Sequence, residues 1–434
     1  MSNNKSILHK IKWSGILQLN GLLILPIFSI YLARHYTPDD FSRYFISQSV
    51  LLLLSIPLTS IFPKNIAYYQ VKVQQQLTEY DSAVLLLAFV LMGVFGLVHA
   101  VFWIFDVNFI GMAAWLFPII LVLRGLKGLP NGIIDRDGDF KSRAKVNILS
   151  SLLAMMIGLF VLLVFDFAGI SVLILYSFIF ECISCLLYRR QLGIEKDGNK
   201  YLPQYQKPTN LLAKTSVLYT HRKYLIFSIK NQLVYQVSNI ADKFLFNLFS
   251  LGTEAGAYTK FMNFSMIPPK TVSGIINRVN FSLLVQSNIK QQQERVLFLI
   301  STSMLFVGCL ILTVFDRQII NLIFGGQWSD YYYFLGYACP IAFLFGANAF
   351  INNHFVAKGN SKLVINRAII VNSIRLIGLG IIFATGMDTI WIFMLLIFVQ
   401  LLNFAIYTYY WGGFREKALI TGMLSVLIYY AYFT

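Results

Sequence analysis

Lysine and arginine recur along this 434-residue chain in discrete clusters, separated by long stretches that carry almost no charge. Of the 35 basic residues, 25 fall in seven segments: the N-terminus (Lys5, Lys10, Lys12), 63–81, 127–146, 189–223, 285–295, 358–367 and 412–417. The connections that alternate with them (34–40, 106–108, 166–169, 250–255, 316–330, 385–388) are short and contain only Arg34 and Arg317, with Arg43 just beyond the first. Cytoplasmic loops of membrane proteins retain Lys and Arg. The alternation therefore predicts a polytopic inner-membrane protein with a cytoplasmic N-terminus. Composition excludes an ordinary soluble domain: 12 % of residues are charged and 57 % hydrophobic, against about 25 % charged in soluble domains. The net charge of +16 lies where topology puts it, so no nucleic-acid partner is expected.

A span requires roughly 20 apolar residues. Twelve stretches qualify: 14–33, 41–62, 82–105, 109–127, 146–165, 169–188, 224–249, 256–284, 295–315, 331–357, 363–384 and 388–411. The first lacks a small-residue cleavage site and reads as a retained helix. The stretch 418–433 reads equally as a partial thirteenth span or as an interfacial helix. The longest polar segment, 189–223, contains Pro203, Pro208, Gly193 and Gly198 and reads as an irregular linker. It separates six spans from six. The expected organisation is a six-helix lobe over 1–188, a cytoplasmic linker over 189–223, a second six-helix lobe over 224–411, and a tail over 412–434 with its short hydrophobic segment. Such a repeat suits alternating access. Prolines within spans (Pro26, Pro57, Pro118, Pro340 and the pair Pro268-Pro269) favour kinks.

Seven cations fall within spans: Arg124, Lys230, Lys243, Lys260, Lys270, Arg278 and Arg375. Two acids, Glu181 and Asp242, accompany them. A charge at the bilayer centre costs about 2.5–3.5 kcal/mol on insertion scales, so such residues face water, a partner or a ligand. The excess of cations points to a cavity for an anion. On a continuous eighth span Lys260 and Arg278 point the same way, with Lys270 about 80° to one side, giving a ladder with rungs roughly 15 and 12 Å apart. Arg124 and Lys230 stand near helix ends and could instead snorkel to the interface. Asp242 could neutralise Lys230, Lys243 or Lys260. Glu181 could pair with a cation or carry a coupling proton.

No enzyme signature competes. The chain lacks a G-x-x-x-x-G-K-[ST] loop. Asp135, Asp137 and Asp139 in DRDGDF lack the later Glu of a calcium loop and read as a solvated cytoplasmic turn. Cys182 and Cys185 form a C-x-x-C on a membrane helix, where small packing residues are the simpler reading. No catalytic residue, metal site or cofactor is expected.

The stretch NIADKFLFNLFSLGTEAGAYTKFMNF (239–264) resembles the seventh-to-eighth helix region of the polysaccharide-export branch of the multidrug/oligosaccharidyl-lipid/polysaccharide (MOP) superfamily, with Asp242, Gly252, Gly256 and Tyr258 in the family's places. IINLIFGGQW (319–328) resembles its apolar segment ending in Phe-Gly, here Phe324-Gly325. RHYTPDDFSRY (34–44) resembles its first turn, although Ser42 replaces the usual Gly, and VAKGNSK (356–362) resembles its turn between helices ten and eleven. The resemblance implies a Wzx-type flippase: an all-α, MATE-like protein with two six-helix lobes around a central cavity. Such proteins move undecaprenyl-pyrophosphate-linked oligosaccharide, such as an O-antigen repeat unit for lipopolysaccharide, from the cytoplasmic to the periplasmic leaflet. The implied partners are that glycolipid, membrane lipids, other polysaccharide-assembly proteins and a coupling ion, H+ or Na+. The alternatives are a small-molecule or drug antiporter of the same fold, an integral-membrane polysaccharide polymerase, and a scaffold for glycan assembly.

Overall fold

A computed structural model describes residues 13, 16, 27–63, 66, 74–104, 115–137, 139–165, 169–193, 236, 240–249, 252–272, 291–357, 361–411 and 414–433. The described chain is helical, and its elements run α1 (Pro38–Ile56), a π-helical turn (Pro57–Ile61), α2 (Gln74–Ile104), α3 (Leu116–Asp137), α4 (Phe140–Phe165), α5 (Gly169–Gly193), α6 (Thr253–Ser265), α7 (Gln291–Val314), α8 (Asp316–Ile323), a 3-10 turn (Gly326–Tyr331), α9 (Tyr333–Ala357), α10 (Ser361–Thr385), α11 (Thr389–Trp411) and α12 (Phe414–Phe433). Residues 27–33 and 240–249 are also helical. Among the described residues eight helices are long and apolar enough to cross a membrane, and α7 with α8 makes a ninth candidate bent by 77°. The other three expected spans, 14–33, 224–249 and 256–284, are described only in part. The protein is thus a multi-pass membrane protein.

The chain divides into two compact units: Met1–Tyr36 with Ile46–Val237, and Thr37–Phe45 with Ser238–Thr434. In the first unit α3 packs against α2, α5 and the π turn, and α4 packs against α5. Small residues allow the close approach. A Cβ on Gly125 would stand 2.6 Å from that of Ala88, one on Gly128 3.3 Å from the Leu58 carbonyl, and one on Gly132 3.1 Å from the Pro63 carbonyl.

Several expected boundaries move. The basic segment 127–146 is not a loop: α3 continues to Asp137 and α4 begins at Phe140, where Asp139 accepts a 3.2 Å bond from the Ser142 N–H as a helix cap. Pro130 lies inside α3. It has no N–H for the Leu126 carbonyl one turn back, and Arg189 supplies the missing donors, from Nε at 3.2 Å and Nη2 at 3.1 Å. Arg189, expected to open the linker, is therefore helical, and α5 runs to Gly193. Helix α2 likewise starts within the expected loop 63–81, and α7 within 285–295. The remainder of the linker, 194–223, lies outside the described residues.

In the second unit α9 is the central helix, packed by α6, α7, α10, α11 and α12. Gly346 in its middle takes Leu305 and Pro269 against its bare Cα, at 2.6 and 3.1 Å from a Cβ placed there. The stretch 418–433 belongs to α12, which packs against α7 and α9, with Tyr432 stacked on Tyr337 at 4.3 Å. The connection 316–330 is itself folded: α8, then Gly325 at φ 91°, then a turn that buries Trp328 completely.

The eighth span departs from the straight helix assumed for the ladder. Regular α6 ends at Ser265, Met266 is a turn, and helix resumes over 267–272. Pro268 and Pro269 cannot donate to the carbonyls of Phe264 and Ser265, which breaks the helix there. Pro118, in contrast, stands in the first turn of α3, where no bond is lost. Pro26 lies outside the described residues.

Candidate functional site

Each unit holds a buried cluster of charges. In the first, α3 carries Arg124 and Lys127, and α5 carries Glu181. Arg124 donates from Nε to Glu181 Oε1 at 2.9 Å and from Nη1 to Ser55 Oγ at 2.8 Å. Lys127 forms an ion pair with the other carboxylate oxygen and stands 5.2 Å from the Phe180 ring centre. The side chains of Arg124, Lys127 and Glu181 are only 12, 10 and 7 % exposed. Because α3 extends beyond its expected end, Arg124 and Lys127 lie inside the span Leu116–Ile134 rather than at its edge. Arg124 thus has a carboxylate partner at mid-span. The expected loop 127–146 includes Lys127, yet this residue is helical, follows Arg124 by three positions and so shares its helix face. A second pair, Arg189 with Asp81 at 3.1 Å, joins α5 to α2.

In the second unit the 240–249 helix brings Asp242, Lys243 and Asn247 against α6, and α10 supplies Arg375. Arg375 ion-pairs with Asp242 Oδ1, and the buried Tyr258 hydroxyl donates to Oδ2 at 2.6 Å. Lys243 donates to Asn263 Oδ1 at 2.6 Å, and Asn247 donates to Thr259 Oγ1 at 2.6 Å. The partner of Asp242 is therefore Arg375, on a span that sequence reasoning left without a counter-ion. Lys260 lies in an aromatic box, 4.9 Å from the Phe41 ring centre and 5.6 Å from that of Phe324, and is buried. Aromatic faces stabilise a desolvated ammonium in such a place.

The residues of these motifs have physical causes in the fold. A Cβ on Gly256 would stand 1.7 Å from the Pro38 carbonyl oxygen, so only glycine admits that approach. Two residues on, Tyr258 carries the hydroxyl that satisfies Asp242. Thr37 and Asp40 cap α1 reciprocally, the Asp40 N–H donating to Thr37 Oγ1 at 3.2 Å and the Thr37 N–H to Asp40 Oδ2 at 3.0 Å. Phe324 is fully buried and Gly325 takes the positive φ that follows it.

Of the seven cations expected within spans, Lys270 is, among the described residues, the exposed one. Its depth is fixed by the preceding residue, since Pro269 seats against Gly346 at the middle of α9. Lys260 and Lys270, expected as neighbouring rungs, thus have opposite surroundings, because the break at Met266 separates them. Lys230 and Arg278 lie outside the described residues. Among the described residues, no group of three His, Cys, Asp or Glu side chains converges as a metal would require.

Residues 31–333 match the model of a family described as polysaccharide biosynthesis protein. No curated sequence relative matches. Among solved structures, the lipid II flippase MurJ in an inward closed conformation aligns with a TM-score of 0.73 at 14 % identity, over 99 % of this chain and 93 % of that one. An inward-facing multidrug resistance MATE transporter of the MOP superfamily aligns at 0.65 and 11 % identity, over 94 and 98 %. The MATE transporter ClbM in complex with Rb+ aligns at 0.53 and 14 % identity, over 97 and 96 %. These identities carry the fold, which is the MATE-like, all-helical fold that the sequence led us to expect.

Proposed function

The chain belongs to the polysaccharide biosynthesis protein family, and from that premise we propose that it is a flippase rather than an enzyme. Its cargo in this reading is an undecaprenyl-pyrophosphate-linked oligosaccharide, the repeat unit of an O-antigen or similar surface polysaccharide. The cargo moves from the cytoplasmic to the periplasmic leaflet of a bacterial inner membrane by alternating access, with the N-terminus of the protein in the cytoplasm. The likeness of nearly the whole chain to a lipid II flippase supports this reading at the level of fold.

The observation that carries it is Lys270. Lys270 is exposed next to the middle of α9, and a lysine so placed is expensive against lipid, so its face of the helix borders water or an anionic ligand. A diphosphate headgroup supplies that anion. Arg375, Lys243 and Lys260 act in this reading by holding the surrounding helices, while Lys230 and Arg278 remain candidates for the same anion. The Rb+ bound to ClbM favours a monovalent coupling ion, and H+ or Na+ would serve here. The MATE likeness also favours a second reading, an antiporter of small molecules.

Proteoliposomes loaded with a polyprenyl-diphosphate oligosaccharide test the proposal. Protein-dependent appearance of glycan to an impermeant probe, lost in Lys270→Gln, is expected. Failure to expose glycan under an imposed ion gradient, together with export of a soluble dye, would replace the flippase by the antiporter.

A further inference from the structure

We propose that Arg124 and Lys127 form a phosphate-class anion site within the first unit, with Glu181 as the internal carboxylate that an incoming oxyanion displaces. Three observations carry it. First, the triad has one positive charge in excess: two cations share a single carboxylate. Second, it lies near the middle of its spans. Arg124 and Lys127 fall about 12 and 17 Å along α3 from its start, and Glu181 about 18 Å along α5, inside the spans Leu116–Ile134 and Ile170–Arg190. An uncompensated charge there is costly, and intramembrane ionisable groups mark ligand paths by default. Third, among the described residues the guanidinium and ammonium offer more N–H donors than the Glu181 carboxylate and the Ser55 hydroxyl take up.

The neighbourhood suits exchange. Ser55 lies just before the π-helical turn Pro57–Ile61, whose Leu58 carbonyl stands against Gly128 of α3. Single π-helical turns inside α-helices occur frequently at functional sites. A tetrahedral oxyanion answers both the charge excess and the donor excess, because it offers several acceptors and at least one negative charge. The Glu181 carboxylate occupies that position in the resting structure. Lys270 belongs to the other unit. The site rests on the flippase reading only for the source of its anion, a lipid-borne diphosphate rather than a free one.

The test is binding to the full-length protein in nanodiscs, by thermal shift and by native mass spectrometry, of two probes: a polyprenyl diphosphate and inorganic pyrophosphate. Lys127→Gln is expected to weaken polyprenyl-diphosphate binding about tenfold, the loss of one charge-assisted hydrogen bond, and Lys127→Arg to restore it. Glu181→Gln removes the competing carboxylate and should tighten binding, a sign that a purely structural triad would not produce. Unchanged affinity in Lys127→Gln and Glu181→Gln, alongside weakened binding in Lys270→Gln, would overturn the site and leave the flippase reading intact. Inorganic pyrophosphate alone binding, with the same response to Lys127→Gln and Glu181→Gln, would keep the site and remove the lipid source. No binding of either probe to the wild type would overturn both.

Discussion

Arg375→Gln strands the Asp242 carboxylate in the interior of the second unit. The Asp242 side chain is 1 % exposed and that of Arg375 10 %, so neither can recover water when its partner is removed. Breaking a buried ion pair from one side costs about 3–5 kcal/mol. For a helical unit of roughly 200 residues, each kcal/mol shifts the midpoint by about 2–4 °C, so a fall of about 10 °C is expected. Asp242→Asn should lose a similar amount, because Arg375 then stands without its carboxylate while Tyr258 keeps an oxygen to donate to. The double variant Asp242→Asn/Arg375→Gln removes both charges and should recover most of the loss, since a neutral pair of similar volume is often tolerated. The assay is thermal unfolding of detergent-purified protein, run beside transport in proteoliposomes. Single variants that each shift the midpoint by less than about 2 °C, with an additive double, would refute the description of this pair as a buried, mutually dependent unit. Transport separates the roles: a double variant that is stable and active makes Arg375 structural, and one that is stable but inactive makes it a ligand.

Lys270→Gln should abolish or sharply reduce glycan exposure without lowering the unfolding midpoint, whereas Lys260→Gln, which empties the box of Phe41 and Phe324, should lower the midpoint; equal thermal losses in the two would contradict their different surroundings. Gly256→Ala should lie at the upper end of the about 1–3 kcal/mol typical of overpacking, because the Pro38 carbonyl must retreat, and wild-type stability in this variant would show that the approach is relaxed at no cost. Gly325→Ala places a side chain at φ 91°, ψ 174°, a region nearly exclusive to glycine, for about 1–3 kcal/mol; thermal unfolding checks it.

The charge map revealed the membrane class and the helical fold because lysine and arginine report topology directly. It failed on where helices stop, since charge marks a loop only when the helix does not outrun the membrane. In α3 the apolar span itself runs on to Ile134, so Lys127 lies within it and not in a loop. The cationic residues were visible individually, but their partners were not: Asp242 and Arg375 lie 133 positions apart, Arg124 and Glu181 57 apart, and no local periodicity connects such distances. The helix break at Met266 was legible in Pro268-Pro269, and neglecting it produced the ladder. Tyr258 was recognised only as part of a pattern, and its function became evident when its hydroxyl was found on Asp242.

The sharing of Glu181 by Arg124 and Lys127 also orders the biogenesis of the protein. Helix α3 emerges from the ribosome with two cations at its centre and waits for α5, 57 residues later, before either is neutralised. Until then it gains by staying near the translocon or beside water instead of moving freely into lipid. The charges of the triad all belong to one unit, so they can neutralise one another before Ser238–Thr434 is synthesised, in keeping with the stepwise maturation of chains made of separate units. Arg375 faces the opposite circumstance: Asp242 is already in place when α10 arrives, and the late helix inserts toward a waiting counter-ion.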